Sequence, residues 1–99
     1  MTHLLIAYDL NVPGQHYREV IRTIESLGHA QRIQRSVWLA KTKFSAGKVR
    51  RMIRKIIDNN DLLFVIKLIR ADYTTSIPEP KAVDEVRELR KFIRTYMRK

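Results

Sequence analysis

The 99-residue chain is long enough for one domain and one core, since a chain of this size buries roughly 65% of the surface it exposes when unfolded. A composition 44% hydrophobic and 30% charged excludes wholesale disorder, and the absence of cysteine excludes a disulfide scaffold, a thiolate metal site and a cysteine nucleophile. Twenty Lys and Arg against ten Asp and Glu leave a net charge of +10, which favours a polyanionic partner, nucleic acid before acidic membrane surface.

Leu4 to Tyr8 is a short apolar run ending in Asp9-Leu10, and its length and Leu/Ile/Tyr content predict a buried strand. The run is too short for a signal sequence or a membrane span, so a soluble cytoplasmic protein is expected. Asn11-Val12-Pro13-Gly14 reads as a turn. From Gln15 to Leu27, Tyr17, Val20, Ile21, Ile24 and Leu27 recur at steps of three and four, one face of a helix. Gly28 is placed to end that helix in the left-handed conformation.

Ala30 to Thr42 has no helical stripe and reads as one or two strands, broken near Gln34-Arg35. A second helix follows, with Val49, Met52, Ile53, Ile56 and Ile57 as its apolar side. Asp58-Asn59-Asn60-Asp61 is a turn cluster, and Leu62 to Ile69 reads as another buried strand. Ala71 to Pro80 is irregular, and Lys81 to Arg98 forms a third helix with Val83, Val86, Leu89, Ile93 and Tyr96 or Met97 on one side. Strand, helix, strand, strand, helix, strand is the ferredoxin-like α+β order, an antiparallel sheet with two helices on one face. The expected division is a ferredoxin-like domain over residues 1–77 and a basic C-terminal helical extension over 78–99.

The first and last strands do not alternate; they are apolar on both sides and are expected to lie together at the sheet centre. Such strands need both sheet faces covered. The C-terminal helix or a second copy of the chain can do this, and a homodimer is the favoured reading.

The basic residues are unevenly placed. Lys41, Lys43, Lys48, Arg50, Arg51, Arg54 and Lys55 stand together with no acidic residue among them, whereas a merely solvated helix interleaves signs. This segment is the expected contact with nucleic-acid backbone, and it carries no base readout. Asp9, at a strand end before a Pro-Gly turn, is either a turn former or a cation ligand; across a two-fold axis, two such carboxylates can hold Mg²⁺. His3, His16 and His29 lie thirteen residues apart and lack the spacing of a zinc helix, with His16 the one acid/base candidate. Trp38 and Tyr8 can stack bases but more often pack a core.

Leu5-Ile6-Ala7-Tyr8-Asp9, the helix with Arg18-Glu19-Val20, Gly28, and then Gln34-Arg35-Ser36-Val37-Trp38 resemble the CRISPR-associated protein 2 family, the small subunit of the spacer-acquisition machinery of antiviral defence. The virulence-associated protein D ribonucleases share its fold. The family motif falls on Tyr8, Asp9, Gln34, Ser36, Val37 and Trp38. The resemblance implies a ferredoxin-like homodimer whose sheets face each other and which binds nucleic acid. It implies either a bridging role beside an integrase subunit or Mg²⁺-dependent endonuclease activity with Asp9 as catalytic and metal-binding residue. A stand-alone toxin-like endoribonuclease and a non-catalytic regulatory dimer that binds DNA or protein stay open beside these.

Overall fold

A computed structural model describes residues 1–11, 16–69 and 83–97, with backbone alone at 83–86. The turn expected at 12–14 and the irregular segment expected at 71–80 lie outside the described residues. The elements are β1 (Thr2–Asp9), α1 (Tyr17–Glu25), β2 (Gly28–Gln34), β3 (Val37–Thr42), α2 (Ala46–Arg54), β4 (Leu62–Lys67) and α3 (Val83–Phe92), which continues as a π-helical turn over Ile93–Met97. The strands form one four-stranded sheet in the order β2-β3-β1-β4, antiparallel throughout, which is the ferredoxin-like arrangement.

Side-chain alternation along β1 divides the sheet. Leu4, Ile6 and Tyr8 point to one face, where they are buried with Trp38 and Ala40 of β3. α1 covers this face with Val20 and Ile24, and α2 with Val49 and Ile53, so the two helical stripes share one core as the spacing predicts. The hydroxyl of Ser45 starts α2 by accepting from the N–H of Lys48 at 3.1 Å. Thr42, fully buried at the end of β3, donates to the carbonyl of Leu27 at 2.7 Å and accepts from the N–H of Phe44, so its hydroxyl costs the core no unpaired group.

The opposite face holds a second core. Leu39 of β3 is buried there under Phe92, Ile93 and Met97, with Leu5, Ile33, Leu68, Leu89 and Tyr96 packed around them. Tyr96 stacks on His29 of β2, ring centroids 4.0 Å apart and planes 17° apart, and contacts Phe92 at 5.0 Å. The C-terminal helix therefore covers this part of the face within a single chain. Full burial of each such side chain contributes roughly 1.5–3 kcal/mol.

Two expectations require correction. β4 lies beside β1 but at the sheet edge, because β1 spends its other side on β3. Its outward residues, aligned with Asp9, Ala7 and Leu5, stay open: Leu62 is 57% exposed, Phe64 59% and Ile66 48%. The doubly apolar run that reads as a buried strand is buried on one side only. Gly28, in turn, is not a left-handed helix cap. α1 ends at Ser26 in right-handed geometry, and Gly28 opens β2 with φ 146°. A Cβ there would sit 2.6 Å from the carbonyl oxygen of Lys41, so close approach of β3 also demands glycine.

Candidate functional site

The two halves of the strand motif meet. The backbone N–H of Tyr8 donates to the carbonyl of Ser36 at 3.1 Å, and Trp38 Nε1–H donates to the hydroxyl of Tyr8 at 3.2 Å. Ser36 sits in the turn between β2 and β3, Gln34 ends β2, and Val37 pairs with Ala7. Tyr8 and Trp38 are both buried in the core, so neither ring is available for stacking on a base. Burial pushes the Tyr8 hydroxyl above its ordinary pKa, with the Trp38 hydrogen bond working the other way, and the phenol stays neutral. The Arg32 guanidinium lies 5.0 Å over the Trp38 ring, and Tyr17 contacts Tyr8 at 5.9 Å.

This lock sets the end of β1 and hence Asp9, which is exposed on the face opposite Tyr8, in register with Leu62. A second carboxylate fixes the chain just past it. Asp61 is buried; one oxygen accepts the N–H of Asn11 at 2.6 Å and the other accepts the N–H of Asp58 at 2.7 Å. The Arg54 guanidinium closes the same turn by donating to the carbonyls of Asp58 and Asp61 at 3.3 and 3.4 Å. These bonds tie the exit of β1 to the entry of β4. The Asn11 amide is the main reason that the Asp61 carboxyl is held below the usual carboxylate range, assisted by the Asp58 amide and the neighbouring positive groups. Asp61 is the residue that sequence reasoning missed as more than a turn former. Its cue is an Asp immediately before a strand, at the end of a turn cluster.

Among the described residues no group of three or more His, Cys, Asp or Glu comes together as an ion site. Asp9 alone does not make a Mg²⁺ site, since this cation needs an octahedral oxygen set, and both oxygens of Asp61 are engaged by amides. His16 opens α1 with φ 61° and lies 3.8 Å from a carboxylate oxygen of Asp58, on the α1 side and away from the Asp9 face.

The seven basic residues do not act as one surface. Lys48, Arg50, Arg51 and Lys55 are exposed on α2 and just beyond it, and Lys43 is exposed in the preceding turn with its amine 5.4 Å from the Phe44 ring. Among the described residues none of these five forms an ion pair. Arg54 is half-buried in the Asp61 turn. Lys41 is on the other face of the sheet, aligned with His29, which stacks on Tyr96 of the C-terminal helix. Strand alternation separates Lys41 from Lys43 and the helix although they are neighbours in sequence.

The family model for CRISPR associated protein Cas2 matches residues 1–76. This chain belongs to that family. No curated protein matches it. Among solved structures it resembles the crystal structure of a hypothetical protein, TT1823, from Thermus thermophilus, at 19% identity and a TM-score of 0.61, over 77% of this chain and 92% of that one. At that identity the likeness speaks for the fold. The CRISPR-associated protein 2 match ends before α3, so the helix that builds the second core lies outside the matched segment. No helix among the described residues is long and apolar enough to cross a membrane.

The Asp61 bonds give a stability prediction. A carboxyl whose folded pKa is depressed stabilises above its unfolded pKa, about 3.9, and loses that contribution as the pH falls through the folded value. Asp61→Asn keeps one oxygen for one backbone N–H but turns its NH₂ toward the other donor, so urea denaturation at pH 7 should find the variant clearly less stable. The gap should narrow steadily between pH 4 and pH 2. A gap independent of pH would mean that shape, not charge, carries the effect.

Proposed function

We propose that this CRISPR-associated protein 2 family member is a nucleic-acid-binding homodimer that grips phosphate backbone through the outer face of α2 and acts as a scaffold. The observation that carries the reading is the set Lys43, Lys48, Arg50, Arg51 and Lys55: exposed, on one side of one helix and its lead-in, and without an acidic partner among the described residues. The unscreened charge attracts phosphates at long range, and phosphate contacts carry no sequence information, so binding through them is indifferent to sequence. Family membership supports the same reading, including a bridging role beside an integrase subunit.

The exposed row Leu62, Phe64 and Ile66 on the edge strand supports the dimer. An open, apolar strand edge is a liability in an isolated chain, and a second copy related by a two-fold axis removes it from both protomers at once. α3 occupies the rest of that face, so pairing runs along β4 rather than across the whole sheet. Asp9 borders the row next to Leu62, so the two Asp9 carboxylates meet only if the axis passes at that end of the row and not at its centre. Such a pair with waters would hold Mg²⁺, which would supply Lewis-acid stabilisation at a phosphate. One protomer alone does not supply that set, and the scaffold reading therefore stands ahead of the endonuclease.

The experiments separate these parts. With six phosphates neutralised by the two copies of α2, duplex affinity should fall by roughly 10³ between 50 and 200 mM salt. Changing Lys48, Arg50 and Arg51 together to Gln should flatten the slope and weaken unrelated sequences equally, read by fluorescence anisotropy; salt-independent binding would remove the proposal. Phe64→Glu places a charge in the apolar row and should convert a dimer to a monomer in sedimentation equilibrium, with the far-ultraviolet circular dichroism unchanged. A wild-type monomer at micromolar concentration would refute the dimer. Incubated with Mg²⁺ or Mn²⁺, the wild-type protein should bind duplex DNA and RNA without cutting them, and Asp9→Asn should bind equally or slightly more tightly. Cleavage that disappears in Asp9→Asn would replace the scaffold by the nuclease.

A further inference from the structure

We infer that Arg54 is a positioning residue for the phosphate-binding face of α2: its guanidinium touches no phosphate and instead pins the last turn of the helix to the corner where β1 leaves the sheet and β4 enters it. The inference rests on the reading of α2 as a nucleic-acid surface. At 3.6 residues per turn, Lys48, Arg51 and Lys55 fall within about 60° of one another around α2, and Arg54 falls between Arg50 and Arg51 on the same outer side. Its place on the helix alone would make it a central phosphate contact. The side chain goes elsewhere. Arg54 is half-buried, and one of its Nη nitrogens donates to the carbonyls of Asp58 and Asp61 at 3.3 and 3.4 Å, whereas Lys48, Arg50, Arg51 and Lys55 are exposed. The Asp58 carboxylate belongs to that same turn and is partly exposed, so a phosphate approaching Arg54 would meet a like charge.

The turn that receives Arg54 is itself braced. The N–H of Asp61 donates to the Asp58 carbonyl at 3.1 Å, and the buried Asp61 carboxylate accepts from the N–H of Asp58 at 2.7 Å and from that of Asn11 at 2.6 Å. A helix of nine residues needs such an anchor, because a helix this short owes its place to tertiary contacts. Burial of Val49 and Ile53 holds α2 against the sheet, but apolar packing is non-directional, whereas hydrogen bonds are directional. α2 has one such anchor at each end, the Ser45 hydroxyl at its first turn and Arg54 at its last. Between them Lys48, Arg51 and Lys55 repel one another at steps of three and four, with no acidic residue on the helix to offset them. Arg54 therefore sets how the outer cations are aimed. Leu62 follows Asp61 directly, so the same contact fixes α2 against the edge strand through which the proposed dimer pairs, and with it the spacing at which two α2 faces meet one duplex.

The test is the salt dependence of duplex binding, read by fluorescence anisotropy with the full chain and a random-sequence duplex. Arg54→Gln should weaken binding about fivefold at every salt concentration from 50 to 200 mM and leave the slope unchanged, because preorganisation is lost and no phosphate contact is. Arg54→Lys keeps the charge, but its nitrogen lies one bond short of the Nη position, so it should bind like the Gln variant. A direct phosphate contact predicts the reverse: the Gln variant would lower the slope by about 0.9 per copy, and Lys would restore the affinity. Either of those results overturns the inference while the α2 reading survives. Wild-type affinity in both variants also overturns it, since Arg54 would then brace the fold and nothing more. If circular dichroism shows that the variants do not fold, nuclear magnetic resonance of the wild-type arginine side chains decides. On addition of duplex the Nε–H signals of Arg50 and Arg51 should shift and that of Arg54 should stay, and an Arg54 shift as large as theirs overturns the inference. A wild type that binds no duplex at low salt removes the α2 reading and the inference with it.

Discussion

A sheet with apolar side chains on both faces has to be covered twice, and most of this molecule follows from how that requirement is met. On one side Leu4, Ile6, Tyr8, Trp38 and Ala40 are buried under α1 and α2, the ordinary solution for the ferredoxin-like order. On the other, Leu39 and Leu5 would face water if the chain stopped at the family-matched segment. α3 supplies Phe92, Ile93 and Met97 for that face, and the stack of Tyr96 on His29 fixes the helix against the far strand. Coverage then runs out at β4. The row of Leu62, Phe64 and Ile66 is what remains when one helix is laid over a four-stranded sheet, and its position is set by the strand order, not by local sequence.

The element order, the strand break near Gln34-Arg35 and the amphipathic stripes of α1 and α2 were legible because period and spacing are local properties. What was not legible depends on partners distant in sequence. Leu62 to Lys67 looks central since both its sides are apolar, yet centrality is decided by how many neighbours β1 accepts and in what order. Gly28 carries the right residue type for a helix stop, but the reason for glycine is the carbonyl of Lys41 thirteen positions on. Arg54 reads as one more charge in a basic cluster, whereas its guanidinium is claimed by two carbonyls of a turn that the sequence marks only as polar. Lys41 shows the same limit in reverse: a charge run in sequence is split by the pleat into two surfaces.

The motif residues divide by what they touch. Tyr8 donates its backbone N–H to the Ser36 carbonyl and accepts the Trp38 indole N–H at its hydroxyl, which holds β1 to the β2–β3 turn and makes these residues parts of the frame. Asp9 follows Tyr8 by one position, and the period of two turns it out of the core as surely as Tyr8 is turned in. The frame thereby fixes where the carboxylate stands without engaging it. Asp61 is the opposite case, a buried carboxylate whose two oxygens are both spent on backbone amides at the neighbouring corner. Of the two, only the exposed one remains open to a partner, and what it can do depends on what is brought beside it.

That dependence links the apolar row and the charge. A net charge of +10 on a chain this small repels a second copy at long range, so a dimer of such chains must gain enough from apolar contact to offset the repulsion. The layout reduces the conflict. The α2 cations stand on the face opposite the exposed β4 side chains, and the outer residues of α3 point away from the sheet altogether. Asp9, in register with Leu62, brings an exposed negative charge to the end of the row and tempers the positive field there. Polyanion bound to the outer faces would neutralise the remaining repulsion, so that backbone binding and pairing through β4 support each other: salt would weaken the first directly and strengthen the second by screening.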